Sequence, residues 1–421
     1  MQKHLNKKGF TIVELVIVIV VIAILAAVLI PTFVSLTRKA NIANDTAIAK
    51  NLNTVAISAQ AKTFDEALAA AKDAGYLVAN LNAKADKCYF VWEDDTDQFL
   101  LYDLKEKEII YSNTEVTGDP DESWYFAVNN PKDQAAVEEV WSNVTIKQLV
   151  SNLADLKSWV AKEGDQTIYV DESMDMNSQG QIAIGEGSNI TLKIVDSVVT
   201  GNRNDGYSLD NVPFFVDGGT LTIEGGTIGA TGSYLDADGE PVQSAVVAQS
   251  GVFNLNNTVV DCGDKDIVIA YTGATGTISN ATINADAQAV GSFDGSEVVL
   301  ENCTINSTNE ALFVSNNGGV SKGTIKGGTY SCVGNTIVSH GGIVVIEDGT
   351  FSSTQYNLFK MYSSGGSITI KGGTFNTETY KNYTFDMLTP EIIKGMIATT
   401  STNYSNITVV QNADGSFTIS N

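Results

Sequence analysis

A short phrase, apolar-x-apolar-x-(Gly/Asn/Asp)-small-Thr-apolar, recurs through the second half of this 421-residue chain, and such a repeat leaves few folds open. It reads LTIEGGTI at 221–228, GTISNATI at 276–283, VVLENCTI at 298–305, GTIKGGTY at 323–330, VVIEDGTF at 344–351 and SITIKGGTF at 367–375. LKIVDSVV at 192–199 is a variant with Val198 at the Thr place, and FNLNNTVV at 253–260 is one residue shorter before Thr258. The Thr or its equivalent therefore falls at 198, 227, 258, 282, 304, 329, 350 and 374, with gaps of 21 to 31 residues. A period in this range, carried by strand-like phrases, marks a solenoid. The Leu/Asn consensus of leucine-rich repeats is absent. β-branched strands between Gly and Asn turns instead predict an all-β, right-handed parallel β-helix over 165–421. Eight coils at about 4.8 Å each would make a rod of roughly 40 Å.

The other end of the chain is governed by one apolar run. Residues 1–9, MQKHLNKKG, are polar and carry Lys3, Lys7 and Lys8. From Phe10 to Thr37 there are 28 residues with no Lys or Arg and a single charge, Glu14. As a helix this run spans roughly 42 Å, enough to cross a bilayer. The preceding lysines favour a cytoplasmic N-terminus, although Arg38 and Lys39 reduce the asymmetry. The run is too long for the core of a signal peptide. A plain signal anchor leaves Glu14 unexplained, because a carboxylate in hydrocarbon is costly and asks for a functional account.

Lys8-Gly9-Phe10-Thr11-Ile12-Val13-Glu14-Leu15 resembles the prepilin leader of type IV pilins and type II secretion pseudopilins. The resemblance implies that a prepilin peptidase cuts between Gly9 and Phe10 and that the new Phe10 amine is methylated. It further implies that Glu14, fifth after the cut, pairs with the N-terminal amine of a neighbouring subunit. Buried carboxylate and buried ammonium are each costly alone, and each relieves the other when paired. Pro31 matches the proline that many such subunits carry at that depth, where it kinks or locally melts the helix. An all-round apolar helix outside the bilayer needs other helices around it, so the anchor doubles as an assembly interface.

After the apolar helix (10–37), an α+β pilin-like part over 38–112 is expected. Ile48, Leu52, Val55 and Ala59 form one apolar stripe on the continuing helix. Thr63-Phe-Asp-Glu66 is a capping box opening a helix over 64–73, closed by Gly75. Strands follow at 88–92, 99–103 and near 109–111, the first two joined by the acidic turn 93–97. Long helix, short helix and small antiparallel meander resemble pseudopilin-like proteins. Residues 113–164 read as a polar linker and then a helical cap, with Pro131 opening one helix and Ile146, Leu149, Val150, Leu153, Leu156 and Val160 forming a helical stripe that ends at Gly164. Solenoids need such caps because their terminal edges are otherwise unpaired.

Charge and chemistry narrow the function. With 25 Lys+Arg against 49 Asp+Glu, a formal −24, the surface should repel phosphate backbones, so nucleic acid is disfavoured as a partner. The four cysteines, 88, 262, 303 and 332, have no metal-site spacing. Cys262 and Cys332 fall at similar places about three coils apart, roughly 14 Å, beyond the reach of a disulfide. Cys303 takes a different coil position, and free, mostly buried thiols are expected. Neither a metal nor a cofactor is called for.

β-helices also host pectate lyases and polygalacturonases, but Arg203 is the only arginine in the solenoid, and Ser339-His340-Gly341-Gly342 lacks both an Asp pair and a basic tripeptide. His340 reads as a turn or surface residue. Asp236-Ala-Asp238-Gly239-Glu240 resembles a fragment of a calcium loop but reads as a solvated acidic turn. Tyr356, Phe359 and Tyr362 lie outside the repeat phrase and could make a sugar-stacking surface.

The expectation is a non-enzymatic pilin-like subunit. It would be inserted once in the cytoplasmic membrane, cleaved, N-methylated and assembled into a surface filament that displays the solenoid, as an adhesin for glycans or cells. Its partners would be prepilin peptidase, other pilin subunits and the membrane. Two readings stand beside this one: a pseudopilin of a type II secretion or competence system, and a pilus-borne polysaccharide-active enzyme.

Overall fold

The computed structural model describes residues 12–76, 81–170, 173–175, 181–194, 198–201, 212–230, 244–262, 268–316, 318–363, 365–397 and 407–420. They divide into two compact units, one of 12–76, 81–127 and 135–146, the other of 128–134 and 147 onward.

In the first unit a single helix, α1 (Ile12–Ala59), runs for 48 residues without a break at Pro31. Its outer half packs through Ala49, Leu52 and Ala56, with the polar Asp45 and Asn53 equally buried. The expected stripe is thus turned by about one residue: Leu52 belongs to it, Ile48 and Val55 are half-buried, and Ala59 is exposed. The polar members decide the rotation, because each has a backbone partner waiting on the globular side. Asn53 exchanges two hydrogen bonds with Phe99, and Asp45 accepts one from the Ala85 amide at 2.9 Å.

Helix α2 (Phe64–Asp73) opens as its sequence says. The Thr63 side chain accepts from the Glu66 amide, and Glu66 reaches back to the Lys62 amide at 2.8 Å. At its far end Gly75, at φ +84°, lets Tyr76 donate to the Ala71 carbonyl and Gly75 to that of Lys72, the paired bonds of a Schellman motif.

Strands β1 (Cys88–Glu93), β2 (Gln98–Asp103) and β3 (Glu108–Tyr111) form the expected antiparallel meander. A fourth strand, β4 (Trp124–Val128), pairs antiparallel with β1 inside a segment that reads as linker. Its alternating aromatics explain the pairing, since Trp124 and Phe126 pack edge-on against Tyr102, each at 5.7 Å.

Helix α3 (Pro131–Val140) starts at Pro131, as expected. The continuous helix over 146–160 is not found. Strand β5 (Thr145–Val150) pairs in parallel with β6 (Gly164–Val170), and only α4 (Leu153–Val160) is helical. A spacing of 3 and 4 fits a helix, but Ile146-Lys-Gln-Leu149-Val150 is β-competent and finds a parallel edge to join. Helix α4 is capped by Asn152 and buries Leu153, Leu156, Trp159 and Val160 where the first coil begins.

The second unit is the solenoid. Each complete coil has three strands, for example Val268–Ala270, Thr275–Ser279 and Thr282–Ala285. The first strands stack into an eight-stranded sheet, parallel throughout. Alternating burial runs along the other two, so that Leu300 and Ile305 of one coil lie over Ile278 and Ile283 of the coil before.

The repeat register is Val198, Thr227, Val259, Thr282, Thr304, Thr329, Thr350 and Thr374. The place expected for Thr258 belongs to Val259. The shortened phrase is absorbed at the corner: Asn257 takes φ +53°, and Asn280 and Asn302 take +50° and +53° in later coils. Thr258 turns inward and donates from Oγ1 to the carbonyls of Ile223 and Asn256. Cys303 does the same with its thiol toward Ile278 and Glu301, so it is a corner residue.

Gly-Gly takes the Asn-small place at 225–226, 327–328 and 372–373. Gly328 sits at φ +104°, and a Cβ there would lie 2.2 Å from the Cys303 carbonyl oxygen, closer than any side chain allows.

Inside, Tyr330, Phe351 and Phe375 stack at 5.0 and 5.4 Å with planes 8° and 12° apart. At the far end the parallel order stops. Phe417–Ser420 pairs antiparallel with Ser367–Ile370, Tyr383–Thr384 pairs antiparallel with Thr374–Asn376, and the Phe359 amide donates to Met396. A closing hairpin thus occupies an edge that would otherwise template another chain.

Candidate functional site: the N-terminal helix

Helix α1 carries the chemistry that the sequence singles out. Gly9 and Phe10 lie outside the described residues. Glu14 stands in the first turn, where a carboxylate is favoured by the helix dipole. Around it, every large apolar side chain from Ile12 to Leu36 is exposed, from 48% at Val18 to 82% at Ile12. The best 18-residue window has a mean hydropathy of 3.4 with none of it buried, and the helix is long and apolar enough to cross a membrane.

The few polar groups are reconciled with an apolar surrounding. Thr32 donates to the Val28 carbonyl and Thr37 to that of Phe33, both at 2.9 Å, so neither hydroxyl is left without an acceptor. Pro31 removes one backbone donor, the one that would reach Ala27, and the helix continues past it.

The first basic residue after the run, Arg38, does not point away. Its guanidinium meets Asp103 at 2.6 Å, and that carboxylate is 2% exposed. The hydrogen bond to Asp103 raises the Arg38 pKa further. With Asn41 donating to the Lys84 carbonyl, and with Asp45 and Asn53, it makes a row of polar straps along the outer half of the helix. None of these straps is announced by the hydrophobic pattern. Their spacing of 3, 4 and 8 along one face is the one signal in the sequence that could have found them.

The chemistry weighed for the solenoid is dispersed. Arg203 and the 236–240 acidic run lie outside the described residues. Cys88, Cys303 and Cys332 are free and buried; burial is the main cause that pushes the first two up to about 11 and the third to about 12. Cys262 and Cys332 share one column three ladder steps apart, through Ala285 and Ser307. No group of three or more His, Cys, Asp or Glu that could hold a metal occurs among the described residues.

The expected aromatic cluster is not assembled. Phe359 is fully buried and packs on Phe375 in the core, Tyr356 is exposed in a turn, and only Tyr362 joins a surface row, with His340 and Phe313.

A carboxylate thus stands one turn into a bare apolar helix whose outer half is carried by a small α+β unit. Residues 4–30 match the family model described as the prokaryotic N-terminal methylation motif. Over 48 residues, 11% of this chain, it is 54% identical to the type IV wide pilus major component PilA4 of Thermus thermophilus, covering 34% of that protein. Over 40 residues, 10% of this chain, it is 58% identical to the type IV narrow pilus major component PilA5 of the same organism, again covering 34%. The chain thus spans about a third of the length of the curated relatives it matches. No solved structure matches it. The N-terminal segment is therefore type IV pilin-like, and the chain joins it to a β-solenoid of about eight turns.

Proposed function

We propose that this chain is a structural subunit of a type IV pilus-like filament that carries its solenoid outward. The precursor is held by α1 in the cytoplasmic membrane with its N-terminus in the cytoplasm. Prepilin peptidase cuts between Gly9 and Phe10, and Phe10 is methylated. Glu14 then draws the new amine of the next subunit into register, and the exposed apolar faces of many α1 helices bury one another. The solenoid serves in adhesion rather than catalysis, with surface glycans as its partner class.

The observation that carries this reading is the exposure of the whole apolar span of α1 beside the methylation motif. Burying such a span is worth roughly 25 cal/mol for each Å² removed from water, so the span requires either lipid or other copies.

The test is mass analysis of the N-terminus together with electron microscopy of filaments bearing a tagged solenoid. The expected result is a mature chain that begins at methylated Phe10, with label on filaments. Retention of the first nine residues, or Glu14→Leu filaments as abundant as wild type, would refute it. Cells that secrete or take up DNA through this protein without any filament would support the pseudopilin instead.

A further inference from the structure

The outer face of the eight-stranded sheet is unusually apolar, with Val247, Ile269 and Val338 buried under half-buried rings. Its central outward column runs Phe215, Val247, Ile269, Gly291, Phe313, Val338 and Lys360. Phe215, Tyr271 and Phe293 fold over Val247 and Ile269 and form an apolar cluster outside the solenoid core. The rings then continue along the axis. Tyr271 and Phe293 lie 5.3 Å apart, Phe293 and Phe313 5.6 Å, Phe313 and His340 6.1 Å, and His340 and Tyr362 5.7 Å. The first two pairs are only 25° and 29° from parallel, and at these separations they are slipped stacks that leave part of each ring uncovered.

Gly291 interrupts the central column, and the gap holds a polar group. A Cβ at this position would lie 2.5 Å from Gln288 Nε2 and 2.5 Å from Phe293 Cε2. Gln288 is 9% exposed, and its Nε2 has no hydrogen-bond partner among the described residues. A buried amide donor without an acceptor is costly, and this one is set against the edge of the aromatic row.

From this juxtaposition we infer that the outer face of the eight-stranded sheet binds a neutral, extended, equatorially linked pyranose chain lying along the solenoid axis. The C–H faces of such sugars suit slipped aromatic rings, and the ring hydroxyls bring the acceptor that Gln288 lacks. The rings recur once per coil, as sugars do along an extended chain. An apolar helix would cover the rings and bring the amide nothing. The net charge of −24 selects neutral glycans over uronates. The inference deepens the adhesive reading by naming its surface and ligand class.

The test is titration of the full chain, held in detergent micelles, with cellohexaose, chitohexaose and a galacturonate hexamer. Because it needs no filament, it can fail while the pilin reading stands. At least one neutral hexasaccharide should bind, and the galacturonate should not. Gln288→Leu removes an unpartnered donor, so the variant should fold with an unchanged or raised Tm yet lose about tenfold in affinity. Tyr362→Ala, at the end of the row, should weaken binding comparably, and Tyr356→Ala, outside it, should not. Absence of binding to both neutral sugars, equal binding of the galacturonate, or full affinity in Gln288→Leu or Tyr362→Ala would each overturn the assignment.

Discussion

Asn53 of the stalk helix and Phe99 of the sheet exchange two hydrogen bonds: the Asn53 amide donates to the Phe99 carbonyl at 2.8 Å, and the Phe99 amide donates to Asn53 Oδ1 at 2.6 Å. Both partners are buried, so the side chain completes a strand edge from outside the sheet. Asn53→Leu removes both bonds and strands a buried N–H and C=O. The expected loss is about 2–4 kcal/mol in stability, read from denaturant midpoints. A change below about 0.5 kcal/mol would mean that the bracket is incidental.

The Arg38–Asp103 pair makes a sharper test of asymmetry. Asp103 is almost completely buried and Arg38 only partly so. Arg38→Ala should destabilise by about 3 kcal/mol because it takes the ion partner from a buried carboxylate, leaving it the neutral Lys105 and Glu106 amides. Arg38→Ala combined with Asp103→Asn should recover much of that loss. A double-mutant cycle on purified, detergent-held protein checks this, and a double variant no better than the single would sink it.

Thr258 and Cys303 close equivalent corners through the same two acceptors, the carbonyl two residues back and one from the preceding coil. Cys303→Thr should therefore be tolerated within about 1 kcal/mol, while Thr258→Val should cost about 1 kcal/mol or more. Thermal unfolding of the two variants decides it. Equal effects would contradict the equivalence.

Phe351 lies at the centre of the internal ring stack, between Tyr330 and Phe375. Phe351→Ala should cost about 3–5 kcal/mol, since a cavity there touches three coils. Phe351→Leu should cost clearly less. Both are read by urea denaturation, and a neutral alanine variant would exclude the stack as a source of stability.

The thiols give a pH dependence. Burial raises Cys88 and Cys303 to about 11 and Cys332 to about 12, from a usual value of 9.0. Between those limits the unfolded chain loses thiol protons that the folded chain keeps. Their contribution is therefore complete below pH 9 and declines as the pH rises toward 11 to 12. In native protein Cys88, Cys303 and Cys332 should resist thiol reagents at pH 8, and Cys303→Ser should flatten the alkaline loss of stability. Rapid modification of all thiols in native protein would contradict the burial.

Several features were legible without coordinates because they depend on local rules. The capping box at Thr63, the Gly75 terminus, the helix start at Pro131 and the three-strand meander each follow from residues within a few positions of one another. The period of the solenoid was equally open, since every coil repeats the same alternation. The errors arose where a distant partner chose between local options. Residues 145–150 fit a helix or a strand and became a strand because β6 offers a parallel edge. Thr258 fits the repeat by eye, yet the stacking register assigns the place to Val259. Phe359 reads like Tyr362 in sequence, but the pleat sends one into the core and leaves the other outside.

The amino-acid order alone determined that a long apolar helix with one carboxylate opens the chain, and that a β-branched repeat of about two dozen residues closes it. Both are statements about periodicity and solvation, which a linear string carries in full. Only the tertiary structure decided which face of the stalk is strapped down, how the solenoid ends are closed, and which rings line up outside the eight-stranded sheet. Those choices depend on hydrogen-bond partners tens of residues away, and a coil that slips by one position exchanges its inner face for its outer one.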